Sequence, residues 1–370
     1  MFAQKNNLFV IIPATLLCLA LFFCCKKQKN EDQNEYSQSL KIVVGVSMPS
    51  TIMQRWQKDG ASIKSQLETS GYAVDLQYAG ENDVSLQINQ IKTMISDKVN
   101  VLVITAIDGN SLTDVLKEAK SNNIPVIAYD RLIMSTDALS YYATFDNNKI
   151  GQLHGQFIAD KLGLEVLKGP FYLEAITGPS NDNNTKFLFG GALSVLQPYI
   201  DRGTLVVNSK QLTISDCGID KWLTGTARAR MERLIQNNNY RPGGSKLDAV
   251  LCSNDTLALG AIEALKAAGW SPSSGFPVIT GQDCDRETIR NLIEGYQGMS
   301  VFKDTRMLAA KTARMVDALI KGVTPEINDT ITFYNGVSVV PAYLCEPLLI
   351  TAENYREILI GSNYYKESDF

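Results

Sequence analysis

From Lys41 to Asp304 the chain repeats one pattern, a short β-branched run followed by an amphipathic stretch. The runs read KIVVGVSM (41–48), AVDLQYAG (73–80), VNVLVITA (99–106), PVIAYDR (125–131) and SYYATFDN (140–147). They continue as PFYLEAITG (170–178), TLVVNS (204–209), LDAVLCSND (247–255), PVITGQD (277–283) and MSVFKD (299–304). Between them lie amphipathic segments such as Arg55–Ser70, Leu86–Ser96, Ser111–Ser121 and Lys149–Leu162. Near-continuous apolar strands are buried on both faces, which requires a parallel sheet covered by helices. Ten strands alternating with helices predict an α/β protein of Rossmann-like, doubly wound type, divided between two sheets of five or six strands. A length of 370 residues suits two such domains.

Polar residues gather at one kind of place in this pattern. VIAYDR ends in Asp130-Arg131, VLCSND in Asn254-Asp255, VITGQD in Gln282-Asp283 and MSVFKD in Lys303-Asp304. Ligands of open parallel sheets bind outside the carboxyl ends of the strands, so these residues outline a polar cleft. Asp and Asn also serve there as turn formers and helix N-caps. Arg131 and Lys303 are not capping residues, which favours a ligand.

Several function classes are excluded early. Hydrophobic residues at 45% and charged residues at 20% are ordinary for a soluble globular protein, not a disordered or polytopic membrane chain. A net charge of −4 offers no positive field for nucleic acid. The single histidine, His154, cannot build a His-rich metal site, and no G-x-S-x-G, Walker, EF-hand or H-E-x-x-H pattern occurs. We therefore expect no catalytic residues, no metal and no cofactor. Cys217, Cys252, Cys284 and Cys345 show no zinc-ligand spacing and are expected to be free thiols.

The N-terminus differs from the rest. Lys5 precedes an apolar run from Leu8 to Cys25, which meets Lys26-Lys27. A positive start, an apolar middle and terminal cysteines predict a lipoprotein signal peptide over 1–25, with lipid on Cys25 or Cys24. Cys24 follows the bulky Phe23, whereas Cys25 follows the smaller Cys24. An uncleaved anchor is the alternative, since 18 apolar residues is the lower limit for spanning a bilayer. Both readings put the remaining chain outside the cytoplasm. Residues 26–40, almost without apolar side chains, read as a flexible tether.

The body from Lys41 to about Lys366 resembles the bacterial periplasmic sugar-binding proteins of ABC importers, in their xylose-binding and multiple-sugar-binding branch. The resemblance is carried by Gln54-Arg55-Trp56, VIAYDRLI (126–133), YYATFDN (141–147), GPSNDNN (178–184) and ALSVLQPYIDRGTLVV (192–207). It continues through SND (253–255), TGQD (280–283), VFKDTR (301–306) and EINDTITFYNGVSVVPAYL (326–344). It implies a periplasmic binding protein type I fold, with two Rossmann-like lobes joined by a three-crossing hinge. By that pattern the N-terminal lobe takes 41–146 plus 284–331 and the C-terminal lobe 147–283 plus 332–370, with Asp283 at the hinge.

The resemblance also implies the ligand set. Asp130-Arg131 comes first: Asp accepts and Arg donates, so the pair can hold vicinal sugar hydroxyls with charge-assisted bonds. Arg55, Asn254, Asp283 and Lys303 follow, with Asn183 or Asn184 from the SNDNN loop. Trp56 and Trp222 are expected against the apolar faces of the sugar, while Asp146 and Asn147 fall near a crossing. The implied function is capture of a monosaccharide of the xylose, glucose or galactose type by a monomeric, membrane-anchored receptor, which delivers it to an ABC importer permease. A sugar sensor working through a chemoreceptor or sensor kinase would use the same site. A sugar-responsive repressor would need a DNA-binding N-terminus where this chain has a signal and tether. A glycosidase pair of Asp130 and Asp283 would need a raised pKa, which cationic neighbours oppose.

Overall fold

Each of the ten expected runs contains a strand in the computed structural model, which describes residues 42–370 together with Met1 and Phe2. The expected lipidation at Cys24 or Cys25 and the tether over 26–40 lie outside the described residues. No helix of the described residues is long and apolar enough to cross a membrane.

The strands are β1 (Val43–Met48), β2 (Ala73–Tyr78), β3 (Val101–Ile104), β4 (Val126–Tyr129), β5 (Leu139–Phe145) and β6 (Phe171–Ile176). Then come β7 (Leu205–Val206), β8 (Ala249–Cys252), β9 (Val278–Ile279), β10 (Ser300–Phe302), β11 (Ala342–Cys345) and β12 (Leu348–Ile350). The helices are α1 (Gln54–Thr69), α2 (Val84–Ser96), α3 (Thr113–Ser121), α4 (Asn147–Leu162) and α5 (Asn183–Asp201). They continue with α6 (Ile214–Cys217), α7 (Thr224–Asn238), α8 (Asp255–Ala267), α9 (Arg286–Glu294) and α10 (Thr305–Ile320).

Two parallel sheets result. The first has the order β2-β1-β3-β4-β5-β11 and the second the order β7-β6-β8-β9. Both begin with the same doubly wound order, second strand, first, third, fourth, so each has a switch point beside its first strand. In the first sheet alternate residues serve opposite layers. Val44, Val46, Val101, Val103, Ile127 and Tyr129 share a core with Ile63 and Leu67 of α1 and Leu308 and Val316 of α10. Leu102, Ile104, Val126 and Ala128 share the other with Ile91 and Met94 of α2 and Leu116 of α3. This is the two-sided burial that the unbroken apolar runs required. In the second lobe α4 and α5 approach closely, because a Cβ on Gly151 would lie 2.1 Å from the Leu188 carbonyl oxygen.

Two boundaries differ from the sequence reading. The strand β11 lies in the first sheet, where Ala342–Cys345 pair with Tyr142–Phe145, although 332–370 was expected in the second lobe. Conversely, the start of 284–331 stays with the second lobe. Asp283 N donates to Val301 O (2.8 Å) and Val301 N to Gly281 O (2.9 Å), so β10 runs beside 281–283. Ser300 Oγ (3.0 Å) and Gln297 Nε2 (3.0 Å) also bond Asp255 at the start of α8. Backbone pairing, which single-strand patterns do not reveal, places both segments.

Cys217, Cys252, Cys284 and Cys345 are free and buried. Trp270 packs in the core beside α8.

Candidate functional site

The carboxyl ends of the strands converge on one cavity with an empty volume of about 290 Å³. From the first lobe come Met53, Arg55 and Trp56 at the start of α1, and Asp130 and Arg131 just after β4. From the second come Asp182, Asn184 and Leu188 after β6, Trp222 before α7, and Asn254 after β8. Gln282 and Asp283 follow β9, and Lys303 follows β10.

Charges organise the floor. The guanidinium of Arg55 donates to Asp59 (Nε–Oδ2, 3.1 Å), to Asp283 (Nη1–Oδ1, 3.1 Å) and, at closer range, to Asp130. Lys303 Nζ is 3.0 Å from Asp283 Oδ1. Arg131 pairs not with its neighbour Asp130 but with Asp182 of the opposite lobe, 2.8 Å away, and donates to Ala106 O (3.1 Å). Asn184 Nδ2 crosses the cleft the other way, to Asp130 O (3.0 Å) and Oδ1 (3.2 Å). Burial pushes the Asp130 carboxyl up, but Arg55, Lys303 and Arg131 together outweigh it and hold it below its ordinary value. Asp59 lies behind the wall, bonded by Tyr129 Oη, and there burial wins over Arg55 and raises it to about 6. Three cations and three carboxylates line the cavity, so it presents strong donors and acceptors without net charge.

The aromatic walls need special backbone. Trp222 has φ 59° and its indole Nε1 donates to Asp182 Oδ2 (3.1 Å). Its ring fits because position 178 is glycine: a Cβ there would lie 2.1 Å from a ring carbon. Asp130 (φ 59°) and Asp283 (φ 95°) also occupy the left-handed region. That conformation costs of order 1–3 kcal/mol in a side-chain-bearing residue and concentrates at functional sites. The Trp56 ring centre has the guanidinium carbons of Arg55 and Arg131 at 4.8 and 5.1 Å.

Of the residues singled out from sequence, Arg55, Trp56, Asp130, Arg131, Asn184, Trp222, Asn254, Asp283 and Lys303 line this cavity. Asn183 does not; it is half-buried one position earlier. The choice between the two asparagines follows from the cap: Asp182 Oδ1 accepts from Asn184 N (3.0 Å) and starts α5. Asp146 caps α4 through Lys149 N (2.9 Å) and stays out of the cavity, as does Asn147. Met53, Asp182 and Leu188 were not singled out, although Asp182 sits inside the quoted SNDNN segment; Gln282 was named at its strand end but not in the ligand set. His154 is buried against Gly281 O (2.9 Å), and burial pulls it down to about 4. Among the described residues no cluster of three metal-ligating side chains occurs. Asp130, held below its ordinary value by its cationic neighbours, is not suited to act as a general acid.

Known proteins resemble the chain over most of its length. The profile of the periplasmic binding protein domain family matches residues 44–324. The multiple sugar-binding periplasmic protein of Azospirillum brasilense is 46% identical over 331 residues, 89% of this chain and 91% of its own length. The D-xylose-binding periplasmic protein of Escherichia coli is 35% identical over 91% of this chain and 94% of its own. A crystal structure of an ABC transporter solute-binding protein from Clostridium phytofermentans with bound β-D-glucose superposes with a TM-score of 0.85 at 50% identity. It covers 88% of this chain and 99% of that one.

Proposed function

Because the chain belongs to the periplasmic binding protein family, a family of binding proteins and not of enzymes, we propose that it captures a monosaccharide and delivers it to an ABC importer. The observation that carries this reading is the cavity's balanced charge: Arg55, Arg131 and Lys303 against Asp130, Asp182 and Asp283. A neutral polyol meets that lining with many charge-assisted bonds, whereas an ionic ligand would unbalance it. The close similarity to proteins named for xylose and for multiple sugars, and to a glucose-bound one, supports an aldopentose or aldohexose of the xylose, glucose or galactose type.

Capture works by closure. The moving bodies are about 43–145 with 304–345, and about 147–302 with the C-terminal tail. Arg131–Asp182 and Asn184–Asp130 form only when these bodies meet, and the sugar adds bonds to both sides. A ligand held from both sides favours the closed state, which the permease then distinguishes from the open one. The receptor acts as a monomer in the periplasm, held by a lipid on Cys25 or Cys24.

A thermal-shift panel of monosaccharides tests the reading. A sugar present at 100 times its Kd adds about 2.7 kcal/mol to stability. Solution scattering should show compaction with the same sugar. A panel without any shift, or tight binding without compaction, overturns capture by closure. Changing Cys24 and Cys25, together with Cys18 of the same apolar run, to serine should release the chain from membranes or block its processing; unchanged association without a change in chain length would mean an uncleaved helix.

A further inference from the structure

Two cavity-lining side chains bury a polar atom that meets no protein partner, Trp56 Nε1 and Gln282 Oε1. The first can only donate and the second can only accept. The other polar walls, Arg55, Asp130, Arg131, Asp182, Asn254 and Lys303 among them, already hold bonds or ion pairs. We infer that Gln282 determines ligand specificity, its amide carbonyl accepting a hydrogen bond from one hydroxyl of the bound sugar.

Gln282 is 4% exposed, and its carbonyl oxygen meets no protein donor. The backbone at this position is fixed. The backbone carbonyl of Gln282 accepts from Asp255 N (3.1 Å), and the residue bridges to Val301 between two pinned neighbours. A buried acceptor without a donor is expensive, and its cost is recovered only by a ligand that brings an O–H to that point. A hydroxyl does so; a C–H at the same position does not. Sites built to bond a hydroxyl reject the analogue lacking it far more strongly than apolar pockets reject an added group. The carboxylates beside Gln282 already accept from cations, so the neutral amide reads one hydroxyl without competing for those charges.

This inference rests on the monosaccharide reading, and one experiment separates the two. Calorimetry is run on the wild-type chain with D-glucose, D-xylose and D-galactose, then with the monodeoxy derivatives of whichever sugar binds. Gln282→Met keeps the length of the side chain and removes both polar atoms. It should weaken the parent sugar by about tenfold or more, and leave unchanged the affinity for one deoxy derivative, the one lacking the partner hydroxyl. Gln282→Glu keeps the acceptor and gives it a charge, so it should increase discrimination at that same position. An equal loss for all derivatives in Gln282→Met, or no loss, overturns the role of Gln282 while the sugar reading stands. Should Gln282→Met fail to fold, unchanged parent-to-deoxy ratios in Gln282→Glu and wild type at every position overturn it as well. If no sugar binds the wild-type chain, the sugar reading fails and the inference with it.

Discussion

The two sides of the cavity are built on different physical terms. On the first-lobe side Arg55 and Arg131 emerge from a helix start and a strand end, and they cap nothing. Their task is electrostatic: Arg55 alone joins Asp59, Asp130 and Asp283. On the second-lobe side two of the polar residues are also helix caps. Asp182 Oδ1 starts α5 through Asn184 N, and Asn254 Oδ1 starts α8 through Leu257 N (3.1 Å). A side chain that caps a helix is oriented by folding itself, before any ligand arrives. The first side therefore holds charge in place by mutual attraction, and the second holds polarity in place by secondary structure. Changes on the first side should act mainly on affinity, and changes on the second on affinity and stability together.

The largest test is Arg131→Ala. It leaves Asp182 buried without its ion-pair partner, a loss of about 3 kcal/mol or more, equal to roughly two decades of affinity. Calorimetry reads it, and near-normal sugar affinity would remove Arg131 from the site. Gly178→Ala comes next. The new Cβ must displace Trp222, as overpacking at a cost of about 1–3 kcal/mol, and the tryptophan fluorescence should shift while affinity drops. If binding were unchanged, the aromatic wall would be dispensable.

Buried carboxyls stand behind both sides. Asp59 is raised by burial to about 6, above the roughly 3.9 of an unfolded chain. Between those values the folded state binds more protons than the unfolded one, so this group makes stability fall as pH rises from about 4 to about 6. Its share is on the order of 1–2 kcal/mol. Asp130, held below its ordinary value, acts with the opposite sign and only at lower pH. Asp285, also raised by burial to about 6, contributes with the same sign, so urea unfolding of Asp59→Asn should reduce the fall between pH 4 and 6 without abolishing it; an identical profile would deny Asp59 its role. The smallest effect is expected on the second side. Asn254→Ala removes the α8 cap and should cost about 1 kcal/mol of ligand-free stability, which Asn254→Asp should largely restore. If Asn254→Ala lowered affinity and left stability intact, the contrast between the two sides would break.

Much of this was readable beforehand, and for stated reasons. The ten apolar runs became β1 to β10 because burial on both faces leaves a mark in every residue of a strand. The strands β11 and β12 escaped notice because distant partners place them, β11 beside β5 and β12 beside β10. Strand-end residues such as Asp130, Asn254 and Asp283 were legible because parallel sheets send all their carboxyl ends to one side. Asp182 and Gln282 lay beside residues already singled out. Which neighbour points inward depends on a cap or a strand pairing, not on residue type.

The sequence by itself determined the class of fold, the polarity of the cleft and the residue types at its walls, since these follow from local period and from strand direction. It also carried the family. Tertiary structure alone decided who pairs with whom. Arg131 passes over the adjacent Asp130 to reach Asp182, and Arg55 takes Asp130 from 75 positions away. The reason is geometric: adjacent residues at a strand end diverge, while residues from separate strand ends converge. Ion pairing is settled by distances in space, and those exist only once both lobes have folded.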